Sequence, residues 1–150
     1  MTLDIIIPAY NEYHNLKHLL PYLLENTDPL LTNIFVIDAK ASTDNSADLC
    51  KSLPVNYIKS SSTQRSMQLN EGASFNAGDV LFFLHADVIP PTNFYSLIKS
   101  HIALGFEAGC FSYKFNSQRL ILKLNSFFTR FKGVFTGGGD QGLYISRKRF

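Results

Sequence analysis

The sequence lacks the features that mark several classes of protein. It has no tryptophan and only two cysteines, Cys50 and Cys110, which lie far apart and belong to no CxxC or Cys/His metal pattern. Two reduced, buried thiols are therefore expected rather than a disulfide framework. No apolar run approaches the roughly 18 residues that cross a bilayer, and no signal-peptide pattern follows Met1. These absences predict a soluble cytoplasmic protein, with peripheral membrane contact left open.

Charge of one sign is also scarce. The formal net charge is +2, and no run of Lys and Arg is long enough to hold a phosphate backbone, so we expect no nucleic-acid partner. The 150 residues, 45% of them hydrophobic and 13% aromatic, are typical of a single globular domain over residues 1–150. Because the chain stops just after a predicted strand, this domain is expected to lack part of its C-terminal region.

Strand and helix patterns alternate through the first two thirds of the chain. Short apolar runs at 3–7, 34–37, 55–58 and 80–84 predict strands, and the segments between them predict helices at 13–26, 42–53 and 60–76. Ser42 or Thr43 is the expected N-cap of the second helix, and the run at 60–63 supplies cap candidates for the third. Three strand-then-helix units predict a Rossmann-like α/β fold, with a mostly parallel sheet and helices on both faces. No GxGxxG turn follows the first strand, which disfavours a dinucleotide held in the usual way.

Two carboxylates follow predicted strands directly. Asp38 closes the strand at 34–37, and Asp87 follows the strand at 80–84, just before a Pro-Pro pair. Open α/β sheets bind ligands beyond the carboxyl ends of their strands, so both residues are candidates for function. Asp87 is equally compatible with an ordinary turn or a helix N-cap.

The stretch 108–139 contains no acidic residue. Its apolar residues fall at helical spacing and include Phe127, Phe128 and Phe131, while Arg119, Lys123, Arg130 and Lys132 supply positive charge. One interpretation is a helix that packs on the core with a solvated face. The other is a basic amphipathic helix that touches a membrane surface or a lipid-linked acceptor. The phenylalanines are also compatible with a homodimer contact.

A glycine-rich loop at 137–142 precedes a predicted strand at 143–146. Glycine allows the backbone to approach a ligand closely, and Asp140 lies in the middle of these glycines. The loop is therefore either a plain turn or part of a binding site.

Together these motifs resemble the family-two glycosyltransferases of the GT-A fold, which move a sugar from a nucleotide diphosphate with inversion at the anomeric carbon. The matching segments stand in the family's order: IIPAYNE at 6–12, VID at 36–38 with STD at 42–44, Arg65 with Gln68, Asn70 and Gly72, FLHAD at 83–87, and GGDQG at 138–142. The combination is most similar to a bacterial subgroup associated with radical-SAM and selenium-domain proteins or with arsenosugar biosynthesis.

The resemblance implies a donor site for a nucleotide-diphosphate sugar of the UDP or GDP type. In it, Asp38 accepts a hydrogen bond from a ring N–H of the base, and Arg65 holds the base or the diphosphate, a task that suits its forked, permanently charged group. The alternative for Arg65 is a surface salt bridge to Glu71. The remaining residues implied to line the substrate site are Pro8, Ala9, Tyr10, Glu12 and Gln141.

The resemblance also implies a metal and a base. Asp87 takes the position of the last acid in the family's Asp-x-Asp motif and binds divalent manganese or magnesium, which stabilises the diphosphate leaving group. Asp140 is the general base that removes the proton from an acceptor hydroxyl. Neither cysteine is needed.

Three departures from the family pattern bear on these expectations. The loop 38–44 is one residue longer than usual and has no glycine, and His85 replaces the first acid of Asp-x-Asp, although imidazole is a poorer ligand for magnesium than for manganese. The third is the short C-terminus, which favours the alternative of a non-catalytic nucleotide-sugar-binding or interaction module. Nucleotidyl transfer is a further alternative, disfavoured because the first loop lacks a Gly-rich, basic triphosphate cradle.

Overall fold

The computed structural model describes residues 1–75, 77–111 and 142–150. This part of the chain forms an α/β domain, as the sequence predicts. No helix within it is long and apolar enough to span a bilayer. In chain order the elements are β1 (Leu3–Ala9), α1 (Tyr13–Glu25), β2 (Thr32–Asp38), α2 (Ser46–Lys51), β3 (Asn56–Lys59), α3 (Arg65–Ser74), β4 (Val80–Phe83), α4 (Phe94–Ala103), β5 (Ala108–Cys110), β6 (Leu143–Ser146) and a 3₁₀ turn (Arg147–Arg149).

The strands form one mostly parallel sheet in the order β3-β2-β1-β4-β6-β5. Strands β3, β2, β1 and β4 run parallel, while β6 is antiparallel to both β4 and β5. The carboxyl ends of the four parallel strands therefore share one edge of the sheet, which is where the sequence places Asp38 and Asp87.

Helices cover both faces of the sheet, as predicted. On one face α1, α2 and α4 pack against alternate residues of β1, such as Ile5 and Ile7, and on the other face Ala73 of α3 packs against Ile6. Every residue of β1 is buried, since the strand lies in the middle of the sheet between two layers of helices. This rigid centre fixes the loops that follow β1 and β2.

Strand β1 continues through Pro8, where the sequence predicted its end at residue 7. The ladder between β1 and β4 stops at Ile6 and Phe83. The carbonyl of Ile6 accepts a hydrogen bond from the N–H of Leu84, so the polar groups of Ile6, and of Pro8 two residues later, are directed to the β4 side. Pro8 therefore loses no ladder hydrogen bond and can stay in the strand, paired with β2.

An ionic anchor ties the end of the described chain to the opposite, amino-terminal edge of the sheet. Asp4 is 1% exposed and accepts hydrogen bonds from Asn33 and from the N–H of Gly78. The guanidinium of Arg147 donates to Asp4 and to the carbonyls of Gly78 and Ala73. These bonds hold β6 in register beside β4, so that Leu143 lies opposite Phe83 at the functional edge.

Candidate functional site

Asp38, the last residue of β2, is the most buried carboxylate at the carboxyl edge among the described residues, with 2% exposure. Its Oδ2 accepts hydrogen bonds from the hydroxyl of Tyr57 at 2.8 Å and from Nζ of Lys59 at 2.9 Å. Its Oδ1 is buried and accepts no hydrogen bond from any described residue. A buried carboxylate oxygen without a donor costs free energy, so an N–H group that reached this oxygen would stabilise the site.

Tyr57 and Lys59 are site residues that the sequence did not indicate. Both lie on β3, where Lys59 is the direct neighbour of Asp38 in the sheet and Tyr57 is two residues earlier on the same face. Burial, and next the hydrogen bond to Asp38, raise the pKa of Tyr57, so its hydroxyl remains a donor. β3 is a short, partly exposed strand at the edge of the sheet. The alternation of side chains along a strand, which places residues 57 and 59 on one face, was the one sequence feature that could have identified them.

The loops after β1 and β2 are bound to each other. Asn11 has φ of 54°, a left-handed conformation that few residues other than glycine adopt. Its N–H donates to Oγ of Ser42 at 3.0 Å, and its Oδ1 accepts from the N–H of Thr43 at 2.8 Å. The prediction that Ser42 or Thr43 caps α2 is therefore wrong: both residues instead fix the first loop beside Asp38.

Asp44 joins the starts of two helices. Its Oδ2 accepts a hydrogen bond from the N–H of Tyr13 at the start of α1, at 2.7 Å, and its Oδ1 accepts from the N–H of Ser46 at the start of α2, at 3.1 Å. Burial opposes its ionisation, but these bonds and the charge of Lys59 outweigh that effect and lower its pKa. A single carboxylate thus sets the entry of both helices into the site.

Four residues at the end of β1 and in the loop that follows it were predicted to line the substrate site. Pro8 and Ala9 are buried, and Ala9 pairs with Asp38 across the sheet. Tyr10 is 56% exposed, and the carboxylate of Glu12 accepts a hydrogen bond from Asn15 at 2.6 Å. The structure therefore places Ala9 directly beside Asp38 and leaves the ring of Tyr10 accessible.

Gln68 fixes α3 over the carboxyl ends of β1 and β2. Its buried side-chain amide donates to the carbonyl of Ala9 at 2.9 Å and to that of Ile37 at 2.6 Å. Arg65 lies one helical turn earlier, as the first residue of α3, and is exposed. Helix α3 therefore begins at Arg65, and none of the Ser-rich residues 60–63, which were predicted as cap candidates, is its N-cap.

The alternative role of Arg65, a salt bridge to Glu71, is not observed. Glu71 accepts hydrogen bonds from the N–H and the hydroxyl of Ser61, and the hydroxyl of Ser60, followed by that of Ser61, lowers its pKa. No ion pair joins Arg65 to another residue in the described part of the chain. Its guanidinium is available to an anion near the carboxyl edge.

Asp87 is exposed on the turn that follows β4, and His85 in the same turn is half-buried. Within residues 1–75, 77–111 and 142–150, no group of three or more His, Cys, Asp or Glu side chains is arranged to hold a metal ion. Asp87 and His85 therefore do not form an all-protein metal cage with other residues of the described part of the chain. A cavity of about 270 Å³ adjoins this turn and is lined by Pro8, Asn70, Phe83 and His85, among others.

Asp140 and Gln141 lie outside the described residues, as does most of the basic stretch 108–139. The described chain resumes at Gly142, whose carbonyl accepts a hydrogen bond from the N–H of Phe111. Leu143 then pairs with Phe83 at the end of β4.

The sequence matches the family model described as glycosyl transferase family 2 over residues 4–143. The chain belongs to this family. No curated protein sequence matches it.

The fold is also similar to solved structures of glycosyltransferases. Glucosyl-3-phosphoglycerate synthase from Mycobacterium tuberculosis, crystallised with Mn²⁺, UDP-glucose and phosphoglyceric acid, superposes with a TM-score of 0.70 at 17% identity, covering 98% of this chain and 57% of that one. S. aureus TarS residues 1–349 with UDP gives a TM-score of 0.64 at 17% identity, covering 71% of this chain and 33% of that one. The structural similarity confirms the GT-A fold. The present chain spans little more than half the length of the synthase and about a third of the length of TarS.

Proposed function

We propose that this family-2 chain binds a UDP-type sugar donor and transfers the sugar, with inversion, to an acceptor hydroxyl. The observation that carries the proposal is Asp38, a buried carboxylate at the carboxyl edge whose Oδ1 has no donor among the described residues. A ring N–H of uracil supplies the missing donor. The M. tuberculosis synthase and TarS, which share the fold, were both crystallised with UDP.

The donor site proposed here is assembled from three segments. The end of β1, with Pro8 and Ala9, pairs with the end of β2, and the loop that follows, with Tyr10 and Glu12, lies beside Asp38 because Asn11 is bonded to Ser42. The exposed ring of Tyr10 is suited to stacking on a base. Arg65, held at the same edge by Gln68 one turn later, is suited to the diphosphate because its guanidinium can bind phosphate oxygens in a bidentate manner.

Asp87, assisted by His85, would hold a divalent metal, with manganese preferred over magnesium for the imidazole. When bound, such an ion stabilises the negative charge that gathers on the nucleoside diphosphate as it leaves. The protein's own contribution is to present one exposed carboxylate at the end of β4, beside the cavity lined by Pro8 and Asn70.

Asp140 is proposed as the general base on the resemblance of the GGDQG motif, and Gln141 as a substrate-binding neighbour. In this reaction the acceptor hydroxyl loses its proton to the Asp140 carboxylate while its oxygen bonds to the anomeric carbon. The bond from that carbon to the diphosphate oxygen breaks, and the electron pair leaves with the nucleotide. One displacement inverts the anomeric carbon, and no enzyme nucleophile is required.

The assignment of origin follows from the same resemblance, whereas the location is a separate proposal. We place the chain in the bacterial subgroup whose motif pattern it shares, acting in the cytoplasm. The basic stretch 108–139 is the segment through which contact with a membrane surface or a homodimer partner would be made.

Calorimetric titration with UDP, with and without Mn²⁺, tests the donor site. We expect metal-dependent binding by the wild-type chain, loss of the metal dependence in Asp87→Ala, and loss of UDP affinity in Asp38→Ala. Asp48→Asn, which neutralises a carboxylate exposed on α2, is the matched control and should bind as the wild type does. Unchanged UDP binding in Asp38→Ala would show that the uracil ring is bound elsewhere.

A sugar-transfer assay tests the role of Asp140 as the general base. Asp140→Asn should retain UDP binding and lose sugar transfer by about 10²–10⁴-fold, the usual contribution of a positioned general base. The second candidate is a non-catalytic nucleotide-sugar-binding module, which the longer loop without glycine at 38–44 favours. UDP binding by the wild type without transfer or hydrolysis would support that module and contradict the assignment of Asp140.

A further inference from the structure

We propose that Tyr57 and Lys59 determine which base the donor site accepts, because they leave Asp38 with a single free acceptor oxygen. This inference rests on the proposed function, since it concerns the base of the same nucleotide donor. It assigns a specificity role to two β3 residues that lie outside every motif of the sequence.

The geometry divides the Asp38 carboxylate into two unequal halves. Oδ2 receives the hydroxyl of Tyr57 at 2.8 Å and the ammonium of Lys59 at 2.9 Å. Two donors fill the two lone-pair directions of that oxygen. Oδ1 is buried and accepts nothing from the described residues. Among the described residues, Asp38 therefore leaves one acceptor, Oδ1, for a donor from a ligand.

Lys59 also holds this arrangement in place from outside the carboxylate. Its ammonium donates a second hydrogen bond to the carbonyl of Ser42 at 2.8 Å, and the hydroxyl of Ser42 accepts from the N–H of Asn11. One cation thus joins Asp38 to both loops of the edge. Its side chain is 41% exposed, so the contact lies at the mouth of the site rather than deep in the core.

The number of hydrogen-bond donors on the edge of a nucleobase decides whether the base needs one free carboxylate oxygen or two. Uracil presents a single donor, its N3–H, between two carbonyl acceptors. Guanine presents two adjacent donors, the N1–H and the 2-amino group, and these pair with both oxygens of a carboxylate. At Asp38 the 2-amino group would meet an Oδ2 that is already filled and a Lys59 ammonium that repels a donor. An unpaired buried donor is costly, so the site should favour uracil over guanine.

Removing the β3 donors should release Oδ2 and weaken this discrimination. Tyr57→Phe keeps the ring and leaves Lys59 to pair the buried carboxylate, so the fold is retained. Lys59→Met keeps the length of the side chain but removes the charge, and Lys59→Arg restores a cation. Tyr95→Phe removes a hydroxyl that donates to the carbonyl of Met1 at the opposite edge, and Lys51→Met removes an exposed α2 ammonium, so these two serve as controls.

The experiment is calorimetric titration of UDP, dTDP and GDP into the wild type and these variants, all with Mn²⁺. We expect the wild type to bind UDP at least about tenfold more tightly than GDP, the worth of one hydrogen bond to a charged group, and dTDP to follow UDP because thymine has the same donor edge. Tyr57→Phe should reduce the UDP-to-GDP ratio, Lys59→Met should reduce it further, and Lys59→Arg should restore it. Neither control should change it.

A structural role alone would weaken all nucleotides equally and leave the ratio constant. An unchanged ratio in Tyr57→Phe, or equal binding of UDP and GDP by the wild type, would overturn the selection by Tyr57 and Lys59 while leaving the donor site intact. Failure of the wild type to bind any of the three nucleotides would instead overturn the proposed function, and the inference with it.

Discussion

Arg147 and Asp4 form an ion pair across 143 residues of the chain, with 3.0 Å between Nη2 and Oδ2. Asp4 is almost fully buried in the central strand, and Arg147 directly follows β6. This pair, with the bonds from Arg147 to the carbonyls of Ala73 and Gly78, fixes the last described strand at the amino-terminal edge of the sheet.

Replacing Arg147 should destabilise the domain strongly. Arg147→Met removes the guanidinium that pairs with the buried carboxylate of Asp4, and losing one partner of a buried ion pair typically costs about 3–5 kcal/mol. The measurement is the free energy of unfolding from urea titration. Arg149→Met is the control, because Arg149 pairs with Glu107 at the surface, where an ion pair contributes about 1 kcal/mol or less. Equal losses in the two variants would contradict the anchoring role.

The close packing of α3 on the sheet depends on Gly72. A Cβ at this position would lie 2.5 Å from Cγ2 of Ile6 and 3.0 Å from Cγ1 of Ile37. Gly72→Ala should therefore lower the free energy of unfolding by about 1–3 kcal/mol through overpacking, although alanine is the better helix former. Ser74→Ala, on the exposed side of α3, should not show this loss. A stabilised Gly72→Ala would mean that the helix can move away from Ile6 at no cost.

Asp44 should give a defined pH dependence of stability. Its pKa in the fold lies below its ordinary value of 3.8, because the hydrogen bonds from Ser46 and Tyr13 outweigh the effect of burial. A lowered native pKa stabilises the fold above the unfolded pKa, and this contribution is lost as the pH falls through the native pKa. The stability advantage of the wild type over Asp44→Asn should thus be full at neutral pH and shrink below pH 3.8. Chemical denaturation at several pH values measures it, and an advantage that grows on acidification would contradict the assignment.

The two thiols should differ sharply in reactivity. The sequence predicted that both are buried, but Cys110 is exposed and only Cys50 is buried. Burial, followed by the negative charges of Asp38 and Asp44, raises the pKa of Cys50 to about 11. Native alkylation at pH 8, followed by mass spectrometry, should therefore modify Cys110 quickly and Cys50 only after unfolding. Equal rates at the two positions would show that α2 opens readily.

The order of strands and helices was predictable from the sequence because β1, β2 and β4 are continuous apolar runs with polar breaks. The position of Asp38 was predictable for the same reason, since it directly follows such a run. Its partners on β3 were not, because that edge strand is short and partly exposed and its pattern is weak. Nothing in the sequence at 147–149 indicated that Arg147 pairs with the buried Asp4, because only the folded chain brings the two residues together.

Loop contacts were the least predictable part of the site. Ser42 and Thr43 are good helix caps by residue type, and so is the run 60–63, but tertiary contacts decide otherwise. Ser42 and Thr43 form hydrogen bonds with Asn11 instead. Asp44 links the starts of α1 and α2, and its bond to Tyr13 joins residues 31 positions apart. The local sequence favours caps equally well at several positions, and the long-range bonds select among them.

A crystal structure of the chain with UDP and Mn²⁺ tests the central claim most directly. The account predicts the uracil N3 atom within hydrogen-bond distance of Asp38 Oδ1, about 2.7–3.2 Å, with Tyr57 and Lys59 still bound to Oδ2 and the metal on Asp87. A nucleotide bound away from the carboxyl ends of β1 and β2, with Asp38 Oδ1 still lacking a donor, would contradict it.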